Sequence, residues 1–161
     1  MKALLVIDIQ ERFMKESPAY EEERFISVVN KAIKFFRKNE DLIVYVHHLE
    51  GGVKPNTAGW GFDPRILKNE SDPCVWKTKG SAFDGTDLRK ILDKHKIDEI
   101  TICGLVTQNC IRSSAIGSIE EGFKTNLIKK GTTNWAENPQ ETIDRVEAEL
   151  EGLGLKLVEL K

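Results

Sequence analysis

The sequence predicts an α/β protein, a three-layer α/β/α arrangement around a six-stranded, mostly parallel sheet. Three observations carry this. Short apolar runs alternate with longer segments of helical period from one end to the other. The runs are nearly continuous in apolar residues, as strands covered on both faces are. Each helical segment lies between two such runs, which is the pattern of parallel strands joined by crossover helices.

The elements follow in order. Residues 3–7 (Ala-Leu-Leu-Val-Ile) form the first buried strand. Residues 21–38 carry Phe25, Val28, Val29, Ala32, Ile33 and Phe36 on one stripe, a helix facing the sheet. Residues 42–46 are a second strand. Residues 49–73 hold Gly, Pro and Asn without period and read as a loop, with a short helix at 64–68. Residues 74–77 are a short third strand, 87–95 a helix and 99–104 a fourth strand. A helix over 107–122 and a strand over 125–128 come next. Pro139 opens a helix through 150, a good first-turn residue, and 155–160 is the sixth strand. No repeat, linker or low-complexity segment interrupts residues 1–161, so a single domain is expected.

The chain has 161 residues, of which 40% are hydrophobic and 31% charged, an ordinary globular composition. A formal net charge of −2 gives no global field for nucleic acid or an anionic membrane, so neither is expected as a partner. Three cysteines (Cys74, Cys103, Cys110) without a CxxC pair argue against a disulfide framework and a zinc ribbon. Free thiols suggest a reducing, cytoplasmic setting. The apolar run at 3–7 ends at Asp8, too short for a signal-peptide core or a membrane span.

Parallel sheets place their sites at the carboxyl ends of strands. Asp8 ends the first strand, Lys77 ends the third, and Cys110 lies just past the fourth. Taken singly, Asp8 reads as a loop acid or cap, Lys77 as an exposed lysine and Cys110 as a buried structural cysteine. Their convergence on one edge favours chemistry. The stretch Gly104-Leu-Val-Thr-Gln-Asn-Cys110 carries the chain off a strand into a helix, whose first turn favours a thiolate. A Lys77 ammonium is expected to raise the ionised fraction further, with Asp8 as general acid/base. Backbone N–H groups of that turn offer an oxyanion hole.

These residues resemble the isochorismatase-like cysteine hydrolases, which include nicotinamidases and N-carbamoylsarcosine amidohydrolases. Three blocks carry the resemblance across essentially the whole chain. They are Leu5-Val-Ile-Asp8-Ile-Gln10-Glu-Arg-Phe13, Lys77-Thr-Lys-Gly-Ser81-Ala-Phe83-Asp-Gly-Thr-Asp-Leu, and Gly104-Leu-Val-Thr107-Gln-Asn-Cys110. The resemblance implies a catalytic triad of Asp8, Lys77 and Cys110, with a thioester formed on Cys110. It also implies a cis peptide at Leu105–Val106 that aims the Val106 N–H, with that of Cys110, at the oxyanion. Spacing to Ser81 selects Lys77 over Lys79 as the catalytic lysine. Phe13 and Gln10 match positions expected to bind substrate, with Trp60 and Trp135 as further walls or, more plainly, as packing residues. The implied partner is a small amide or related carbonyl C–N substrate, and the implied assembly is a homo-oligomer, a dimer or larger. The loops after the first and second strands are short for this family, which leaves the pocket open or walled by a neighbouring subunit.

One departure bears on cofactors. Nicotinamidases carry an Asp-x-His-x-x-His metal pattern after the second strand; here that region reads Tyr45-Val-His-His-Leu-Glu50. Adjacent strand histidines point to opposite faces, so structural roles for His47 and His48 are expected, with no metal and no cofactor. Other chemistries fit poorly. A dehalogenase-type phosphatase needs an acid where Gln10 stands, and a cysteine phosphatase needs Arg where Ile116 stands. No dinucleotide or phosphate-loop glycine motif is present. The rival from another class is a non-enzymatic ligand-binding or interaction domain, or a thiol sensor, on the same scaffold.

Overall fold

The computed structural model describes residues 1–160. Six strands, β1 (Lys2–Ile7), β2 (Leu42–His48), β3 (Cys74–Lys77), β4 (Glu99–Leu105), β5 (Lys124–Thr133) and β6 (Lys156–Val158), form one sheet in the order β3-β2-β1-β4-β5-β6. Every pairing is parallel. The central strands β1 and β4 are almost wholly buried, which explains their uninterrupted apolar sequences.

Helices cover both faces. Helix α2 (Glu22–Lys38) presents Phe25, Ile26, Val29, Ala32, Ile33 and Phe36 to one face, packing on Leu4, Val6, Ile43 and Tyr45. Glu22 and Glu23 at its start and Arg37 and Lys38 at its end match the helix dipole. Helices α3 (Leu88–Lys94), α4 (Arg112–Glu120) and α5 (Pro139–Gly152) supply Leu88, Leu92, Ala115, Val146 and Leu150 to the other face, around Leu5, Ile7, Val44 and Ile102. A four-residue helix, α1 (Glu11–Met14), follows β1 and has no counterpart in the expected element list. No helix of the described residues is long and apolar enough to cross a membrane.

Three expected elements come out differently. Residues 64–68 form turns instead of a helix. The Asp63 carboxylate accepts from the Arg65 N–H at 2.9 Å while its carbonyl accepts from Ile66, the local capture that competes with helix formation. The helix expected from residue 107 begins as a π-helical turn (Thr107–Ile111), with Ile111 N donating to Val106 O at 3.3 Å. Strand β5 runs on to Thr133 past a register shift, where it advances from Leu127 to Thr132 while β4 advances from Ile102 to Gly104. The loop of residues 49–73 is tied to the start of the chain: Glu11 N donates to Gly61 O at 2.9 Å and Asp63 N to Ile9 O at 2.9 Å.

Candidate active site

Asp8, Lys77 and Cys110 meet at the carboxyl edge of β1, β3 and β4. Lys77 Nζ lies 3.1 Å from Asp8 Oδ2 and 3.1 Å from Cys110 Sγ, and it donates to the Lys79 carbonyl at 2.9 Å. Lys77 and Asp8 are 1% and 2% exposed, whereas Cys110 is half-buried, so the sulfur is the accessible member. The Lys79 side chain stands in solvent, 3.8 Å from Asp84.

Local backbone accounts for the convergence. Asp8 takes a left-handed conformation (φ 60°) just past β1, a region that Asp tolerates better than most residues. At Gly104 (φ 129°) β4 passes so close to β1 that a Cβ would stand 2.1 Å from Ile7 O. No other residue fits there. The next peptide, Leu105–Val106, is cis. The buried Thr107 hydroxyl lies 3.0 Å from Thr132 Oγ1 and 3.2 Å from Thr133 O, and accepts from Asn134 Nδ2 at 3.3 Å. This fastens the turn that carries Cys110 to the far end of β5.

The electrostatics correct one expectation. Burial, and next the Asp8 charge, push the Cys110 thiol up to about 11, outweighing Lys77. The sulfur is therefore not a resting thiolate. Burial also raises the Asp8 carboxyl, against the opposing pull of Lys77. Asp8 Oδ1 is buried without a hydrogen-bond partner, an acceptor held ready for a proton.

A cleft of about 460 Å³ is lined by Arg12, Phe13, Glu16, Glu50, Val106 and Trp135 among others. Val106, just past the cis peptide, links it to the turn that carries Cys110, while Asp8, Lys77 and Cys110 are not in its lining. Phe13 and Trp135 are thus walls, the indole N–H of Trp135 being held by Ser17 O at 2.8 Å. Gln10 and Trp60 are not. Gln10 is fully buried, and its amide accepts from His48 N at 2.7 Å and donates to His48 O at 3.0 Å and Trp60 O at 2.8 Å. Trp60 is nearly buried and meets the Phe13 ring edge-on at 5.8 Å. Both brace the wall without forming it.

The two histidines divide as alternation requires. His47 stacks on Trp76 at 4.0 Å and packs on Phe62. His48, which residue types alone did not single out, turns to the site, with Nδ1 3.0 Å from Lys77 Nζ. Adjacent apolar-strand histidines leave open which one faces the site; only the phase relative to Asp8 across the sheet decides it. Asp8, His48 and Cys110 offer donor atoms within 4.8 Å of one another, a spacing that metal sites use. Lys77 Nζ, however, already stands 3.0–3.1 Å from all three. A metal ion among these donors would sit against an ammonium, so the residues do not fit one.

The Isochorismatase domain family model matches residues 2–148. An uncharacterized isochorismatase family protein of Bacillus subtilis, YrdC, is 25% identical over 81% of this chain and 73% of its own length. The nicotinamidase of Saccharomyces cerevisiae is 34% identical over 48% of this chain and 35% of its own length. Among solved structures, the pyrazinamidase of Pyrococcus horikoshii in complex with zinc superimposes with a TM-score of 0.86 at 28% identity, covering 99% of each chain.

Proposed function

The chain belongs to the isochorismatase family of hydrolases, and from that premise we propose that it cleaves the C–N bond of a small amide through a thioester on Cys110. One observation carries the reading: a single buried ammonium, Lys77, bridges a carboxylate and a half-exposed thiol at 3.1 Å each.

A thiol with a pKa of about 11 is ionised at pH 7 to about one part in ten thousand. Attack must therefore be coupled to proton transfer. As Sγ bonds to the carbonyl carbon, the thiol proton passes to Asp8 and the oxygen gathers charge, stabilised by the Val106 and Cys110 N–H groups. Collapse breaks the C–N bond, and Asp8 returns the proton to the departing nitrogen, releasing ammonia or an amine. Water then adds to the thioester with Asp8 as base, the C–S bond breaks, and the thiolate recovers the proton. Lys77 supports both the Asp8 carboxylate and the sulfur that becomes negative. Burial of Asp8 suits this shuttle, because a raised carboxyl holds a proton longer. The same reading places the enzyme where Cys74, Cys103 and Cys110 stay as free thiols.

A panel of small amides, ureido acids and nicotinamide screened for ammonia release would identify a substrate. With it in hand, Cys110→Ala should lose about 10³-fold or more in kcat, and mass spectrometry of quenched wild-type enzyme should show an acyl adduct on Cys110. Lys77→Ala should be nearly as damaged, with Lys79→Ala near wild type. Undiminished turnover by Cys110→Ala excludes covalent catalysis.

A further inference from the structure

His48 is not a member of the proposed triad, yet it touches the residue at the triad's centre. An ammonium has three hydrogens, and Lys77 Nζ has four acceptors around it: Lys79 O at 2.9 Å, His48 Nδ1 at 3.0 Å, Asp8 Oδ2 at 3.1 Å and Cys110 Sγ at 3.1 Å. One acceptor is always left over. We infer that His48 is a positioning residue: with the Lys79 carbonyl it takes up two of the Lys77 hydrogens, so that the third alternates between Asp8 and Cys110.

Its surroundings suit the role. Lys77 can only donate, so Nδ1 must be the unprotonated nitrogen of the ring and Nε2 the protonated one. Burial, and next the Lys77 charge, lower the imidazole pKa, against Asp8 and Glu50, which keeps that lone pair free near neutral pH. Lys77, Asp8, Cys110 and Glu50 are the titratable groups about the ring. The His48 peptide is clamped on both sides by the buried Gln10 amide, and the ring lies 6.3 Å from that of Phe13.

The count of hydrogens gives the role its purpose, and here the inference rests on the proposed thioester mechanism. While the thiol is protonated, the third hydrogen stays with the Asp8 carboxylate. Once the thiol proton has moved to Asp8, that oxygen no longer needs it, and the same hydrogen turns to the new thiolate. No hydrogen is gained or lost by Lys77 in the exchange. Without the His48 acceptor, three hydrogens would face three acceptors. Asp8 and Cys110 would each hold one permanently, making the sulfur more acidic and Asp8 a poorer base.

That gives a readout with a sign. In His48→Phe, which keeps a ring of similar size but no acceptor, the pH dependence of Cys110 alkylation by iodoacetamide should shift about one unit lower. Turnover should fall about tenfold or more in kcat, with KM little changed. His48→Asn, whose Oδ1 offers an acceptor at about the Nδ1 position, should recover most of both. Water admitted to a loosened site would also lower the thiol, since burial is what raises it, so recovery in the Asn variant is what marks the lost acceptor. An unmoved or raised alkylation profile in His48→Phe, undiminished kcat, or an Asn variant no nearer wild type than the Phe variant overturns the inference. If the Phe variant fails to fold, His48→Leu lacks the acceptor in a smaller volume and is read in the same way. Alkylation needs no substrate, so its result stands apart from the Cys110→Ala assay, which alone tests the thioester.

Discussion

At Cys110, burial above all and then the Asp8 carboxylate oppose loss of the thiol proton, while Lys77 at 3.1 Å favours it. The balance predicts that iodoacetamide labelling of Cys110 in the resting protein climbs about tenfold per pH unit from pH 7 to 9.5, without levelling off. Asp8→Asn should advance that climb to lower pH, and a plateau near pH 8 in the wild type would show the thiol to be ordinary. How far such a balance lies is not written in residue types. Asp8, Lys77 and Cys110 were legible because strand ends in a parallel sheet share an edge, whatever their separation along the chain. Their protonation was not, because it depends on how completely Asp8 and Lys77 are desolvated. His48 escaped for a related reason: the pair His47-His48 fixes that one ring faces each side and leaves the phase open. Gln10 and Trp60 looked like walls because an amide and an indole serve equally well as a brace, and only the backbone partners of the Gln10 amide and the burial of the Trp60 ring tell the two apart.

At the scale of elements, β4 and the turn after it decide where the sulfur stands. Gly104 is the tightest point: a Cβ there meets Ile7 O at 2.1 Å, on the strand that ends in Asp8. Gly104→Ala must push β1 from β4 or strain the backbone. It should cost more than about 3 kcal/mol in a urea titration, among the larger single-residue effects. A loss within 1 kcal/mol would mean that the two strands part easily. Strand order and helix identity were open to inspection along the chain, since buried runs and a helical stripe are local signals. The π turn and the long β5 were not. Residues 129–133 read Lys-Lys-Gly-Thr-Thr, with no apolar period. They extend the strand only because Thr132 and Thr133 find Gly104, Leu105 and the Thr107 hydroxyl on the neighbouring element.

For the molecule as a whole, His47 links acidity to stability. It lies 3% exposed between Trp76 and Phe62, with Nδ1 unpartnered, and burial pushes its imidazole down to about 4. The unfolded chain therefore binds this proton first as pH falls, so stability is lost between about pH 6.5 and 4, by at most about 3 kcal/mol. Urea midpoints at pH 7 and 4.5 should differ less in His47→Phe than in the wild type; equal differences would locate the acid sensitivity elsewhere.

The strand order has a consequence for the way the site comes into being. Asp8 and Lys77 belong to the half of the sheet built from β3, β2 and β1, and Cys110 follows β4, which opens the other half. The carboxylate and the ammonium meet the sulfur across the line where those halves join. A ribosome delivers the carboxylate first, the ammonium some seventy residues later, and the thiol that joins them last. The three groups can therefore come together only once β4 has paired with β1.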